Sequence, residues 1–337
     1  MADVSVRDVA QRAGVSVGTV SNVMNHPDKV AAQTVARVQE AIAELGFIRN
    51  DAARQLRNGR SNTIGLVVLD VRNPFFTDVA RGAEDAAAAA GLAVTLGNSD
   101  ENTDREATYL DLFEQQRVHG VLISPYSDIT PRLRSLRARG IPVVLVDRTS
   151  SDLSISSVSV DDLAGGAMAL EHLVASGCRR IAFVGGPLEI IQVADRLEGA
   201  RRAAAGHPDV QLEVVELPAS SVIEGRTAGA AIAARPVNER PDGVFCANDL
   251  VSMGMLQALV MQGSGIRVPD DIALIGYDDI DFASAAVVPL SSIRQPSALI
   301  GATAVGILLE EAEDPAIAPR QIEFQPELVV RASTSRR

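Results

Sequence analysis

Cysteine, histidine and lysine are scarce in this sequence, and long apolar runs are missing. Its two cysteines, Cys178 and Cys246, stand far apart in apolar stretches, and its four histidines (His26, His119, His172 and His207) are scattered. That spacing argues against a disulfide framework and against a metal site built from neighbouring ligands. No stretch approaches the roughly 18–20 apolar residues that a membrane span requires. The first residues, MADVSVRDVAQRAG, lack the basic-then-apolar order of a secretory signal, so a cytoplasmic protein without a membrane partner is expected. The enzyme motifs P-loop, G-x-G-x-x-G after a strand and H-E-x-x-H are also absent, and G-x-S-x-G is absent from residues 62–337. We therefore expect no catalysis, no cofactor and no metal.

What is present is a 337-residue chain with 47% hydrophobic residues, enough for two or three domains with a substantial core. The formal charge of −12 is unevenly spread. Residues 1–60 carry +2 and the remainder −14, a mildly basic head on an acidic body. Lys29 is the only lysine; the other basic side chains are arginines.

The head reads as helices. Val6, Val9, Ala10 and Ala13 follow the i, i+3, i+4, i+7 rule of an amphipathic face. Ser5 and Asp8 stand at the spacing of a near capping box. Gly14 supplies a tight turn, and Ser16 is a good N-cap for a second helix carrying Val20, Val23 and Met24 inward. A third helix is expected from about Ala32 to Leu45, with Val35, Val38, Ile42 and Leu45 inward and Gly46 at its end. Two short helices joined by a glycine turn describe a helix-turn-helix. The outward residues of its second helix are Val17, Gly18, Ser21, Asn22 and Asn25, all uncharged and small or amide-bearing. Such side chains suit base edges in a major groove: asparagine pairs with adenine and a valine methyl with a thymine methyl. The hydroxyls of Ser5, Ser16 and Thr19 suit phosphates. A solvated polar face on a small bundle is the alternative at this point.

The next stretch, GFIRNDAARQLRNGRSNTIGLV, joins the head to an apolar strand. Together with VRDVAQRAGVS (residues 6–16), TVSNVMN (19–25), NDAARQLR (50–57) and TIGLV (63–67), it resembles the LacI/GalR family of bacterial repressors over essentially the whole chain. The resemblance implies that residues 50–58 form a hinge helix on DNA. Ala53 and Leu56 lie at i and i+3 of it, with Leu56 as the minor-groove wedge and Arg54, Arg57 and Arg60 near phosphates. Many family members carry arginine where this chain has Asn22, and Gly18 offers no side chain, which shifts weight from base contacts to DNA deformation. The family's Ser-Pro at the start of the third helix is here Ala31-Ala32, a missing N-cap that costs about 1 kcal/mol.

The body alternates strand-like runs with helical patterns. The runs are TIGLVVLD, LAVTLGN, GVLISP, IPVVLVD, RIAFVGG, LEVVEL, GVFCAN and IALIGYDD. Alternation of this kind implies parallel sheets covered by helices, with ligands at the carboxyl ends of the strands. Those ends are polar: Asp70, Asn98, Ser124, Asp147, Asn248, Asp249, Asp278 and Asp279. The fold class expected is thus a small all-α helix-turn-helix head plus an α/β body. The family resemblance divides that body into two parallel-sheet lobes around a cleft, like periplasmic sugar-binding proteins. It implies a head at 1–48, a hinge at 49–61 and a body at 62–337. The N-lobe takes about 62–160 plus 293–320, and the C-lobe about 161–292 plus 321–332. Chain crossings are expected near 160–163, 291–296 and 319–323.

The same resemblance points to an effector pocket. Phe75 and Phe76 would flank a ring, Arg196 would fork onto ligand oxygens, and Asn248 and Asp278 would contact hydroxyls. Ser124, Asp147, Asp161, Gln192 and Asp249 complete the expected set, and Ile190 with Ile191 makes part of the wall apolar. A sugar or nucleoside-like effector is the leading expectation, with a deoxysugar, a glycoside or another small metabolite admitted by that wall. The tail LVVRASTSRR has no leucine heptads, so a homodimer on a pseudo-palindromic DNA operator is expected. Two other readings stay open here: control by a protein or phosphoprotein partner, and an extracytoplasmic-type sugar-binding protein.

Overall fold

The computed structural model describes residues 4–47, 61–150, 152–261, 263 and 265–335. The chain divides into two compact units, residues 1–61 and 62–337.

In the first unit α1 (Val6–Ala13), α2 (Val17–Asn25) and α3 (Ala32–Leu45) pack around Val9, Ala10, Ala13, Val20, Val23, Val38 and Ala41. The helix ends follow the chemistry of their caps. Ser5 and Asp8 form a full capping box: the Asp8 carboxylate accepts from the Ser5 amide at 2.8 Å while the Ser5 hydroxyl accepts from the Asp8 amide at 3.4 Å. Gly14 ends α1 at φ +64°, a left-handed conformation that costs a side-chain-bearing residue energy. The Ser16 hydroxyl accepts from the Thr19 amide at 3.1 Å and starts α2. α3 starts at Ala31 without any side-chain cap.

The second unit carries two six-stranded sheets. The first lobe contains β1 (Thr63–Val68), β2 (Ala93–Asn98), β3 (Gly120–Ile123), β4 (Val143–Val146), β5 (Ser156–Val160) and β11 (Gln321–Phe324). These are ordered β11-β5-β4-β3-β1-β2, every pair parallel. The second lobe contains β6 (Arg180–Gly185), β7 (Gln211–Glu216), β8 (Gly243–Cys246), β9 (Ala273–Asp278), β10 (Ser291–Arg294) and β12 (Glu327–Val329). Their order is β12-β10-β9-β8-β6-β7, parallel except where β12 meets β10. Central strands such as β3, β4 and β8 are buried throughout, as strands covered on both faces must be.

Four helices matter for the cleft. In the first lobe α4 (Pro74–Ala89) packs on α12 (Ser297–Glu313); in the second, α7 (Asp162–Ala175) packs on α8 (Ile191–Ala205). The remaining helices of the body are α5 (Thr103–Gln115), α6 (Thr130–Ala138), α9 (Val222–Ala233), α10 (Asp249–Leu256) and α11 (Asp281–Ala285) among the described residues.

Two expectations are corrected. The third crossing between lobes lies between Phe324 and Glu327, not at 319–323, because β11 hydrogen-bonds to β5 and so belongs to the first lobe. The second segment of the first lobe starts after Arg294 rather than at 293, since all of β10 pairs with β9; the crossing there lies within the expected 291–296. The eight strand-like runs are all strands, but β5, β10, β11 and β12 go beyond them. β5 and β10 are serine-rich yet buried, because partners hold their hydroxyls: Ser156 donates to Glu311 at 2.5 Å, and Ser292 to Asp249 at 2.8 Å.

Candidate functional site

The head presents α2. Ser16, Val17, Gly18 and Asn22 are exposed along it, and Thr19 and Ser21 are half-buried. Val17 is 43% exposed, an apolar residue left out of the bundle core beside polar neighbours. Ser5 is exposed at the start of α1, although its hydroxyl is engaged with Asp8 at 2.7 Å. The hydroxyls of Ser16 and Thr19 lie 2.9 Å apart. Ala53, Arg54, Leu56 and Arg57 lie outside the described residues.

In the body, a cleft of about 500 Å³, counting the space at its open mouth, lies between the lobes at the carboxyl ends of their strands. Of the eleven effector residues expected from sequence, Phe75, Phe76, Asp147, Ile190, Gln192, Arg196, Asn248 and Asp278 line this one cleft. Ser124, Asp161 and Asp249 do not line it. Asp161 caps α7, accepting from the Ala164 amide at 2.8 Å. Asp249 is fully buried and faces β9 and β10, where it accepts from the Ile280 amide and the Ser292 hydroxyl. Ser124 is buried at the end of β3.

The first lobe supplies the apolar plate. Asn73 caps α4, its side chain accepting from the Phe75 amide at 3.0 Å, and so starts the helix beside the cleft. Phe75 and Phe76 are both buried and meet edge to face, their centroids 5.0 Å apart. They belong to the core and line the cleft at once.

The second lobe supplies the cation. Arg196 projects from α8 and is 5% exposed. Its Nε donates to Asp162 Oδ1 at 2.7 Å and its Nη1 to the Ala247 carbonyl at 2.8 Å. Nη1 also stands 3.8 Å from Asp278, and the guanidinium lies 3.7 Å above the Tyr277 ring. Burial works against the Arg196 charge, but Asp162, Tyr277 and Asp278 overcome it and raise its pKa. Asp278 ends β9 with φ +101° and receives two amides: Asn73 Nδ2 donates at 3.0 Å and Gln295 Nε2 at 2.8 Å. Burial still lifts its carboxyl above the ordinary range, with Arg196 opposing.

Two of the contacts in the cleft span the lobes. One is Asn73 to Asp278. In the other, Gln192 Nε2 donates to the Asp147 carbonyl at 2.5 Å and to its Oδ2 at 3.1 Å. Asp147 sits at the end of β4 with φ +58°. Its Oδ1 is buried and has no hydrogen-bond partner among the described residues. Burial pushes this carboxyl well above its usual range; Asp162 adds to the shift and Arg196 opposes it. Asn248 accepts from the Val251 amide at 2.9 Å to cap α10, and its Nδ2 donates to the Ser220 carbonyl at 3.3 Å.

Sequence reasoning missed Asn73, Glu101 and Ser220 as lining residues, and Asp162 as the partner of Arg196. The Asn-Pro pair at 73–74, an N-cap followed by a helix-starting proline, was a usable signal for the first. Asp70, a polar strand end in the sequence, also lines the cleft.

A helix-turn-helix head carried in one chain with a two-lobed body and a polar cleft at its strand ends defines a transcriptional regulator with a ligand-binding body. The comparisons agree. Residues 5–50 match the family "Bacterial regulatory proteins, lacI family", and residues 170–334 match "Periplasmic binding protein-like domain". The HTH-type transcriptional repressor PurR of Aliivibrio fischeri is 34% identical over 339 residues, covering 99% of each chain. The ribose operon repressor of Halalkalibacterium halodurans is 32% identical over 98% of this chain and 97% of its own. A crystal structure of the Lac repressor dimer bound to operator and the anti-inducer ONPF superposes with a TM-score of 0.83 at 29% identity, covering 98% of this chain and 99% of that one. The chain belongs to the lacI family of bacterial regulatory proteins, and it is a DNA-binding transcriptional regulator.

Proposed function

We propose that the protein is a repressor that binds a pseudo-palindromic operator as a homodimer and is controlled by a small polyhydroxylated effector in the cleft. The head is assigned to residues 1–48, the hinge to 49–61 and the body to 62–337. α2 is the recognition helix: Val17, Ser21, Asn22 and Asn25 read bases, Gly18 lets the backbone approach, and Ser5, Ser16 and Thr19 meet phosphates. Ala53, Arg54, Leu56 and Arg57 form the hinge contact, with Leu56 as the wedge. Related proteins support the dimer, operator and effector in this reading: the Lac repressor structure holds a dimer on operator with an anti-inducer, and another relative is named for a ribose operon.

The observation that carries the effector reading is the cleft itself. Eight of the expected residues meet there, with an aromatic plate and the Asp147 carboxylate from one lobe and the Asp278 carboxylate, amides and guanidinium from the other. Ligands of parallel sheets bind at such strand ends. Asn73–Asp278 and Gln192–Asp147 join the lobes directly. An effector that replaces these bonds changes how one lobe stands on the other, and so alters DNA affinity through its differential affinity for the two states. The protein is not an enzyme in this reading. Relatives are repressors, and the cleft's acids are tied to amides and a guanidinium. A cytoplasmic location follows from the DNA partner; no described helix is long and apolar enough to cross a membrane.

The test is selection of random duplexes on the full-length protein at near-physiological salt, since phosphate contacts make affinity steeply salt-dependent. Recovery of an inverted repeat supports the dimeric repressor. Recovery of a single unrepeated half-site overturns the dimer, and equal retention of all duplexes overturns sequence-specific binding.

A further inference from the structure

Resting on the effector reading above, we propose that the cleft selects uncharged polyhydroxylated ligands and rejects their phosphorylated or carboxylated counterparts. The reasoning is a charge count with geometry. Three buried carboxylates, Asp147, Asp162 and Asp278, stand around one guanidinium, Arg196. That guanidinium is already committed: Asp162 takes Nε, the Ala247 carbonyl takes Nη1, and Tyr277 covers one face. It is the only cationic side chain lining the cleft among the described residues. Glu101 adds a further acidic side chain to the lining, as does Asp70, which is paired with Arg72. Arg72, the nearest cation in sequence, is largely exposed and pairs with Asp70 and Asp100.

An anionic ligand would therefore enter a site where acidic side chains already outnumber the one arginine. Leaving a buried charge unpaired is among the costlier acts in a protein. A hydroxyl has the opposite fortune. Asp147, a residue of the cleft lining, carries in Oδ1 a buried acceptor with no partner among the described residues. A ligand O–H satisfies it, as buried acceptors require. The Phe75–Phe76 plate covers the apolar face of the same ring. The conclusion does not depend on Asp147 being ionised: protonating it still leaves Asp162 and Asp278 against one arginine.

The experiment uses matched pairs on the full-length protein at pH 7.5: ribose and ribose 5-phosphate, glucose and glucose 6-phosphate, adenosine and adenosine 5′-monophosphate. Calorimetric titration gives the affinity of each. The expected result is binding of at least one uncharged member, with its phosphorylated partner at least tenfold weaker. A phosphorylated member that binds as well as its partner, or within tenfold of it, overturns the charge selection and leaves the effector reading standing. Failure of all six to bind, with operator binding intact, overturns the polyol effector itself and the selection with it.

Discussion

The two lobes share a strand order and a helix-packing device, yet they bring different chemistry to the cleft. In each, the order 2-1-3-4-5 of successive strands puts a topological switch point at the strand ends. In each, a helix pair is brought to backbone contact by glycine. A Cβ at Gly301 of α12 would stand 2.0 Å from the Val79 carbonyl, and one at Gly166 of α7 would stand 2.0 Å from the Arg196 carbonyl. From this common frame the first lobe offers Phe75 and Phe76, and the second offers Arg196, Asn248 and Asp278. Architecture sets where a ligand sits; the residues that start helices and end strands set what it is.

The contrast breaks most sharply at Arg196. Its replacement by alanine leaves Asp162 and Asp278 buried without their counter-charge, which costs about 3–5 kcal/mol. We expect a large fall in thermal midpoint and loss of effector response. A variant as stable as the parent would mean that the guanidinium and its acids are not the mutually dependent set described above. The first lobe has no equivalent: its plate is held by packing and by one cap.

A smaller effect sharpens the comparison. Gly166→Ala and Gly301→Ala both press a methyl into a neighbouring carbonyl, an overpacking cost of about 1–3 kcal/mol, offset by about 1 kcal/mol of helix propensity. Stability should fall similarly in the two. Effector affinity, measured by titration with whichever polyol the protein binds, should fall more in Gly166→Ala, because only that methyl displaces the residue carrying the guanidinium. Equal affinity losses would show that the lobes position the ligand by the same means.

These differences also explain what was legible in the sequence. β1 to β4 and β6 to β9 announce themselves as apolar runs, because strands covered on both faces need continuous hydrophobicity. β5 and β10 do not, because serine hydroxyls there are satisfied by groups over 40 positions away, such as Ser156 by Glu311 and Ser292 by Asp249. The site divided in the same way. Asp147, Asn248 and Asp278 follow apolar runs directly and could be read as strand ends. Asn73 and Asp162 act across the fold, the first on Asp278 and the second on Arg196. Asp249 stands beside Asn248 in sequence, but it is the first residue of α10 rather than its cap, and its side chain turns toward β9 and β10.

The smallest effect expected is a change of pH slope at Asp147. Burial raises its pKa in the folded chain, with Asp162 adding to the shift, so the folded state holds this proton more tightly than the unfolded one. The stability contributed is fully present below the unfolded value and is lost as pH rises through the folded value. Asp147→Asn removes that titration and nearly preserves the shape. Without effector, the thermal midpoint of the variant minus that of the parent should therefore climb as pH is raised from about 4 to 8. A flat difference would mean that Asp147 keeps an ordinary pKa, and that the second lobe's acids do not make the first lobe's strand end costly to ionise.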